Sequence, residues 1–310
     1  MDQNYQPYQP YETAQFNEPQ LPAKKNAAYF RAKARAALKG KLPLASVASF
    51  VWAILQSTAM MVGIIPFYIV MIFQVIANEG NIEDPTFMLP MMLACYAVML
   101  LAVLFVSAPL TVGFYRIHLD VIDGKPIQFS KMFSGFKTGF GKSIKVSILY
   151  GLKLILALLP FILFVVVGAV LSALVPSEAA QMLILAVMSI TGYIITFVLI
   201  FVFVYRYSMV FYILAEYPEM RAIDVMRNSA SLMKGRKWRL FCLQLSFIGW
   251  VFLLLLCGIV TCGFGIMVGS YVLSAYEITS TAAFYDDITN RAAARETEFP
   301  SLDPDDYVVE

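Results

Sequence analysis

Charge is scarce in this chain. Lys, Arg, Asp and Glu together make up 14% of its 310 residues, little more than half the roughly 25% usual in soluble domains. With 60% hydrophobic residues and a mean hydropathy of +0.72, that shortage excludes an ordinary water-soluble globule. Histidine is nearly absent: His118 stands alone. No H-E-x-x-H, G-x-S-x-G or phosphate-cradling loop ending in Lys-Ser/Thr occurs, so the common hydrolytic and nucleotide-binding constellations are missing. Cysteine is limited to Cys95, Cys242, Cys257 and Cys262. All four lie in or beside apolar segments, where thiols act as packing residues rather than in disulfides or metal sites. No cofactor is expected. Asp286-Asp287 and Asp305-Asp306 are adjacent acids whose side chains diverge, and "DPDDY" lacks the glycine and distal glutamate of a calcium loop.

What the chain does have is long apolar runs, several of about 18 residues or more, each enough to cross some 30 Å of hydrocarbon at 1.5 Å per residue. Its few cations are clustered. Seven lie between Lys24 and Lys41 with no acid, six between Arg116 and Lys145, and seven between Arg206 and Arg239. The short segments at 78–88 and 176–181 carry Glu79, Glu83, Asp84 and Glu178 and no cation. Basic loops resist translocation, so the three basic segments share the cytoplasmic side. The apolar stretch 42–77, roughly 54 Å if helical, is then one crossing bent at Pro66 rather than two. Two crossings would put the Arg116–Lys145 loop outside, against its charge.

These constraints predict an all-α polytopic transmembrane bundle with spans at about 44–66, 88–112, 146–170, 181–205, 240–261 and 264–284 and both termini cytoplasmic. The sixth span is polar in its second half, around Glu277. The first apolar run begins some 40 residues in and suits a signal anchor rather than a cleavable signal. Residues 1–23, rich in Gln, Pro and Tyr (Tyr5, Tyr8 and Tyr11 among them), read as a disordered leader, 24–288 as the membrane domain and 289–310 as an acidic cytoplasmic tail. The eight acids from Asp286 onward read as a solvated end.

The cytoplasmic segments are amphipathic. In "AAYFRAKARAALKGK", Arg31, Arg35 and Lys39 line one helical face and Phe30, Ala34, Ala37 and Leu38 another. This is the pattern of a basic helix lying on anionic lipid. Met220, Ile223, Met226, Ala230 and Met233 form a second stripe, in a helix begun by Pro218 and Glu219 and ended by Gly235. Phe129, Met132, Phe133, Phe136 and Phe140 form a third. Each stripe reads as an interfacial helix cemented to the bundle. The cationic knot Lys234, Arg236, Lys237 and Arg239 closes the second helix and anchors the next span by reaching lipid phosphates. A threefold pattern also shows: Phe114-Tyr115, Phe211-Tyr212 and Phe284-Tyr285 each follow a pair of spans, and Lys39-Gly40-Lys41 and Lys234-Gly235-Arg236 each precede one.

The stretch "RNSASLMKGRKWRLFCLQLSFIGW", with "FYILAEYPEMRAIDVM" before it and "CGFGIMVGSYVLSAYEITSTAAFYDDI" after it, resembles the bacterial integral membrane proteins of domain-of-unknown-function family 975. Ser229, Ser231, Leu232-Met233-Lys234-Gly235, Phe241, Ser246-Phe247-Ile248-Gly249-Trp250 and Phe284-Tyr285 carry the likeness, which extends over about 29–288. Ser270-Tyr271 stands where that family often has Pro-Tyr. The resemblance implies a polytopic bacterial membrane protein and supplies no activity or catalytic residue.

Two ionisable residues fall inside predicted spans, Lys153 and Glu277, roughly 10–12 Å deep from the same side. They are candidates for an intramembrane pair or a shared wet cavity. Gln56, Gln74, Ser107, Thr111, Thr191, Thr196 and Gln244 read as interhelical hydrogen-bond glue. His118 reads as interfacial. The expected function is non-enzymatic, structural or regulatory, with anionic headgroups as partners and no nucleic acid. A homo-oligomer is compatible with the sequence, which points to no protein partner. The alternative is a small transporter or channel for a lipid-like or apolar solute.

Overall fold

The computed structural model describes residues 25–77, 85–137, 139–289 and 291. The sequence expectations for both tails and for Glu79, Glu83 and Asp84 lie outside the described residues, as does the side chain of Gln74. Among the described residues the fold is all-α, 86% helical, with no strand.

The helices repeat one order three times: a short helix, an inbound helix and an outbound helix. First come α1 (Ala27–Leu38), α2 (Leu42–Ala77) and α3 (Pro85–Ala102), the last continued through a π turn (Val103–Ser107) into α4 (Ala108–Ile122). Next come a 3-10 turn (Phe129–Phe133) with α5 (Ser134–Lys137), then α6 (Phe140–Ala173), and α7 (Glu178–Arg206) with α8 (Val210–Glu216). Last come α9 (Ala222–Leu232), α10 (Lys237–Leu245) with α11 (Ile248–Val260), and α12 (Phe264–Ile288). Gly40, Gly139 and Gly235 precede the three inbound helices with φ of 75°, 82° and 75°. A side chain there would be strained, and glycine lets the chain turn sharply between the short helix and the long one. The Lys-Gly-basic signal marks two of these turns, and Gly139 is the third.

Five segments are long and apolar enough to cross a membrane: Leu42–Phe73, Met92–Ile122, Phe140–Ala173, Glu178–Glu216 and Lys237–Val260. In their most apolar stretches only 6% to 17% of residues are buried. Side chains such as Phe73, Ile155, Phe197 and Val260 face outward, and this is a membrane-embedded protein. Helix α2 runs unbroken through Pro66, so 42–77 is one helix, as charge placement requires, although it continues past the bend expected at Pro66. Helix α12 occupies the place of the sixth predicted span but is not one of the five. Its second half is polar and buried inside the protein, with Thr279, Ser280 and Asp286 fully enclosed.

The long apolar helices are held closely by small residues. Gly168 and Gly192 lie at the α6–α7 contact, against Met188 and Phe164, and Gly258, Gly265 and Gly269 let α11 and α12 approach. Gln56 Nε2 bonds Thr111 Oγ1 at 3.4 Å across α2 and α4, and Tyr205 Oη donates to Gln244 Oε1 at 2.6 Å across α7 and α10. Thr191 instead bonds within its own helix. None of the four cysteines is in a disulfide.

The core lies at one end. The outbound helices continue beyond the apolar zone, so that α4, α8 and the second half of α12 pack with α1, α9 and α10 as a body of their own. Phe30, Phe114, Ile117, Tyr212, Met233, Leu240, Phe284 and Tyr285 are fully buried there. This changes the reading of the short helices. Helix α1 is amphipathic as expected, capped by the Asn26 side chain on Tyr29 N at 3.1 Å. Its apolar face, however, is closed off by protein: Phe30, Ala34 and Leu38 are buried, and no bilayer can reach them. In the second stripe, Met226 of α9 and Met233 just beyond it are buried while Ile223 is exposed. That helix starts at Ala222, so Pro218 and Glu219 precede it rather than opening it.

Candidate functional site: a charged knot at one end of the bundle

The three Phe-Tyr pairs stand on α4, α8 and α12, the outbound helix of each repeat, and converge. Tyr115 stacks on Phe211 at 5.9 Å and meets the edge of Tyr212 at 4.5 Å; Tyr212 stacks on Tyr285 at 5.5 Å; Phe284 meets Phe30 of α1 at 5.3 Å. Each such pair contributes about 0.5–1.5 kcal/mol beyond its buried area. The Tyr212 hydroxyl donates to the Ile278 carbonyl at 2.9 Å.

Around this aromatic centre the helix ends bring acids and bases together. Asp286, fully buried, pairs with Lys33 of α1. Asp287 pairs with Lys25 at 2.7 Å and Arg239 at 3.5 Å. Asp120 holds Lys131 at 2.7 Å, with Lys125 and Arg116 at 3.8 and 3.9 Å. Arg291 links one acid from each repeat: Glu216 at 2.7 Å, Asp123 at 3.0 Å and Asp286 at 3.8 Å. The Tyr285 hydroxyl donates to the second oxygen of Glu216 at 2.6 Å. The sequence reading of Asp286 and Asp287 as the start of a solvated tail is therefore corrected. Their side chains do diverge, and the divergence lets them grip two different elements, α1 and the head of α10.

The electrostatics follow from this enclosure. A hydrogen bond to Asp287 raises the pKa of Lys25, against a smaller opposing effect of burial. Burial, then the Glu216 carboxylate, holds the Tyr285 phenol well above its ordinary value. Burial lowers the Arg291 pKa, but Glu216, Asp123 and Asp286 outweigh it and leave a net rise. A polar cleft of about 120 Å³ opens beside Arg291, lined by Arg116, Asp120, Asp123, Lys125 and Glu216 among others. Among the described residues, no three His, Cys, Asp or Glu side chains come together in a way that could hold a metal ion. The cationic partner of these acids is arginine or lysine.

His118 is fully buried rather than interfacial, because α4 carries it beyond the apolar zone to face α12. Its Nδ1 lies 2.8 Å from Thr279 Oγ1. The Thr279 proton goes to the Ala275 carbonyl, so Thr279 accepts and the His118 proton sits on Nδ1. Nε2 meets no protein donor.

The cations expected to anchor lipid divide into two groups. Arg236 is buried with a guanidinium nitrogen on the Leu232 carbonyl at 3.2 Å. Arg239 is spent on Asp287 and the Lys25 carbonyl and lies against the Phe30 and Phe284 rings. Each is held by the packed body, and Arg31 turns one nitrogen towards the Ser246 carbonyl at 3.4 Å. Arg35, Lys39 and Lys234 are exposed and Lys237 is half-buried. Lys153 and Glu277 are each half-buried in α6 and α12, and no ion pair or hydrogen bond joins them.

The residues missed by the sequence reading are Asp120, Asp123, Glu216, Asp286, Asp287 and Arg291. The only signal pointing towards them was the repeated Phe-Tyr, since an acid follows each pair within nine residues. No curated protein and no solved structure matches the chain. A family model described as a protein of unknown function, DUF975, matches residues 25–292. That match takes in every helix of the three repeats and the whole knot, and the chain belongs to the DUF975 family.

Proposed function

We propose that this is a multi-pass, non-enzymatic protein of the bacterial cytoplasmic membrane, structural or regulatory in role. Its charged end and both termini face the cytoplasm, and it works there on anionic lipid. The sorting of charge carries this reading. Arg35, Lys39 and Lys234 remain exposed around the knot, whereas the turns at 174–177 and 261–263, at the far ends of the hairpins, hold no cation. Positive charge collects on the cytoplasmic side of membrane proteins, and each exposed cation near an anionic leaflet is attracted by about 1 kcal/mol. The acids of the knot are engaged with cations, an arrangement that supports a scaffold rather than a proton-transfer site.

The test uses the purified full chain in zwitterionic micelles and fluorescent phosphatidylglycerol or phosphatidylcholine. Phosphatidylglycerol should be retained several-fold better at low salt. That preference should shrink as salt rises, because screening shortens the reach of exposed charges, and in R35Q/K39Q/K234Q. An equal or salt-insensitive retention of the two lipids sinks the reading.

A second reading, a small transporter or channel for a lipid-like or apolar solute, is favoured by one observation. A groove of about 190 Å³ lies between α2 and α3, lined by Phe67, Tyr68, Met92, Cys95, Tyr96 and others. Flux of such a solute across proteoliposomes, abolished by M92W, would put this reading in place of the first.

A further inference from the structure

The chain leaving α4 doubles back on it. Gly113 lies against the backbone of Met132 and Gly135 against the backbone of Pro109, each so closely that an added Cβ would overlap a carbonyl oxygen. From residue 132 to 135 the segment thus moves from Gly113 to Pro109, about 6 Å along α4 at 1.5 Å per residue. The direction is away from the knot and towards the apolar zone. Met132 turns inward and is fully buried. Phe129, Phe133, Phe136 and Phe140 turn outward, between 36% and 46% exposed.

Three of these rings, Phe133, Phe136 and Phe140, form a continuous row that joins the apolar belt. Phe133 and Phe136 are 6.4 Å apart, Phe136 stacks on Phe140 at 5.9 Å, and Phe140 lies 6.2 Å from Phe105. Phe105 belongs to the span Met92–Ile122, and beyond Phe140 the outer face of α6 continues with exposed Ile148, Leu152 and Ile155. Lys137 and Lys145 flank the row and are exposed. An exposed apolar patch of this size calls for a covering partner. A soluble protein docking here would have to reach over the apolar belt at Phe105 and Ile148, whereas lipid covering that belt would continue onto the row. Aromatic rings with basic neighbours are the side chains that settle at the boundary between headgroups and acyl chains.

We propose that residues 129–137, with Phe140, form a re-entrant aromatic edge seated in the leaflet on the charged side, with Phe133, Phe136 and Phe140 at the acyl boundary and anionic phospholipid headgroups on Lys137 and Lys145. This deepens the lipid-binding reading above and rests on it. It assigns the deepest lipid contact outside the spanning segments to this segment, because α1 buries its stripe against protein and α9 leaves only Ile223 of its stripe exposed.

Two measurements on the full chain test it. The unmodified protein is reconstituted with phosphatidylglycerol carrying a diazirine near the headgroup and irradiated; peptides spanning 129–140 should carry the lipid adduct. In a variant with Cys95, Cys242, Cys257 and Cys262 replaced by serine, an environment-sensitive probe on F133C or F136C should be quenched several-fold more by a shallow nitroxide lipid than by aqueous iodide. A probe on L152C should respond to a deeper nitroxide. Absence of adduct in 129–140, or probes quenched freely by iodide, overturns the proposal. So do probes shielded from both quenchers, which would mean that a second copy of the chain covers the row. The two readings fail separately. Loss of the salt-sensitive preference for phosphatidylglycerol with nitroxide contact intact sinks the earlier one. Loss of contact with that preference intact sinks this one.

Discussion

The knot and the spans are built by opposite means. In the spans, helices touch through glycines and single hydrogen bonds, and most side chains face outward. At the knot, aromatic rings, buried carboxylates and three outbound helices close on one another as in the core of a water-soluble domain. The contrast teaches where stability resides. Lipid supplies the solvent for the spans, and there is little hydrophobic drive between helices inside it. The knot buries its own apolar area and joins the start and the end of the described fold, Lys25 to Asp287 across 262 positions. A change at the knot should therefore be felt in any solvent, and a similar change in a span should depend on the lipid or detergent around it.

The largest expected effect is at Gly113. An added methyl overlaps the backbone carbonyl of Met132, which no side-chain rotation relieves. G113A should cost roughly 3 kcal/mol or more, as overpacking against fixed backbone does, and thermal unfolding in mild detergent should show it as a large fall in Tm or as loss of folded protein. The matching change among the apolar helices, G269A, meets the terminal Cδ1 of Leu254, which side-chain rotation can move aside, and should cost less than about 1.5 kcal/mol. Equal losses would remove the distinction between the two regions.

Next is the buried pair. D286A strands Lys33 and removes one partner of Arg291, and breaking a buried pair in this way costs about 3–5 kcal/mol. Because Lys33 retains some exposure, the lower end is expected. Unfolding should begin with release of the N-terminal helix, seen as early proteolysis near residue 25. Y285F is milder: Glu216 loses one donor at 2.6 Å but keeps Arg291, at about 1.5–3 kcal/mol for a hydrogen bond to a charged group.

Alkaline pH probes the same place without mutation. Lys25 and the Tyr285 phenol both have folded pKa values above their ordinary 10.5 and 10.0. A raised folded pKa means that the folded state holds its proton more tightly than the unfolded one, so each contribution is complete below the ordinary value and fades as pH climbs through the folded value. Tm should be steady with respect to these two groups from neutral pH to about 9 and fall above about 10. Y285F should flatten that fall in part.

The sequence disclosed what depends on local pattern. Apolar length picked out the five long apolar helices, together with a sixth stretch, 264–284, that is not one of them, and the spacing of Phe30, Ala34 and Leu38 identified α1 as amphipathic. Which surface covers that stripe is a tertiary question, and there protein replaced lipid. Asp286 and Asp287 open a run of acids that looks the same whether it is solvated or gripped. Their partners Lys25 and Lys33 lie more than 250 positions away, beyond any periodicity. Phe-Tyr was legible as a repeat because each outbound helix ends alike, but only the packing of α4, α8 and α12 brings the three pairs together.

The smallest expected effect concerns the pair that the sequence singled out. Lys153 and Glu277 sit at similar expected depths, and a charge at such a depth is costly unless it is paired or reaches water. Each is half-buried with no bond between them, which leaves each to reach the boundary by its own route, Lys153 along its flexible stem and Glu277 from the polar half of α12. A double-mutant cycle of K153M and E277Q should then give a coupling within about 0.5 kcal/mol of zero, as for independent sites. A coupling above roughly 1 kcal/mol would mean that the two charges meet in the membrane. The spans would then hold an electrostatic link of their own, and the division of labour between a lipid-supported zone and a self-supporting knot would fail at that point.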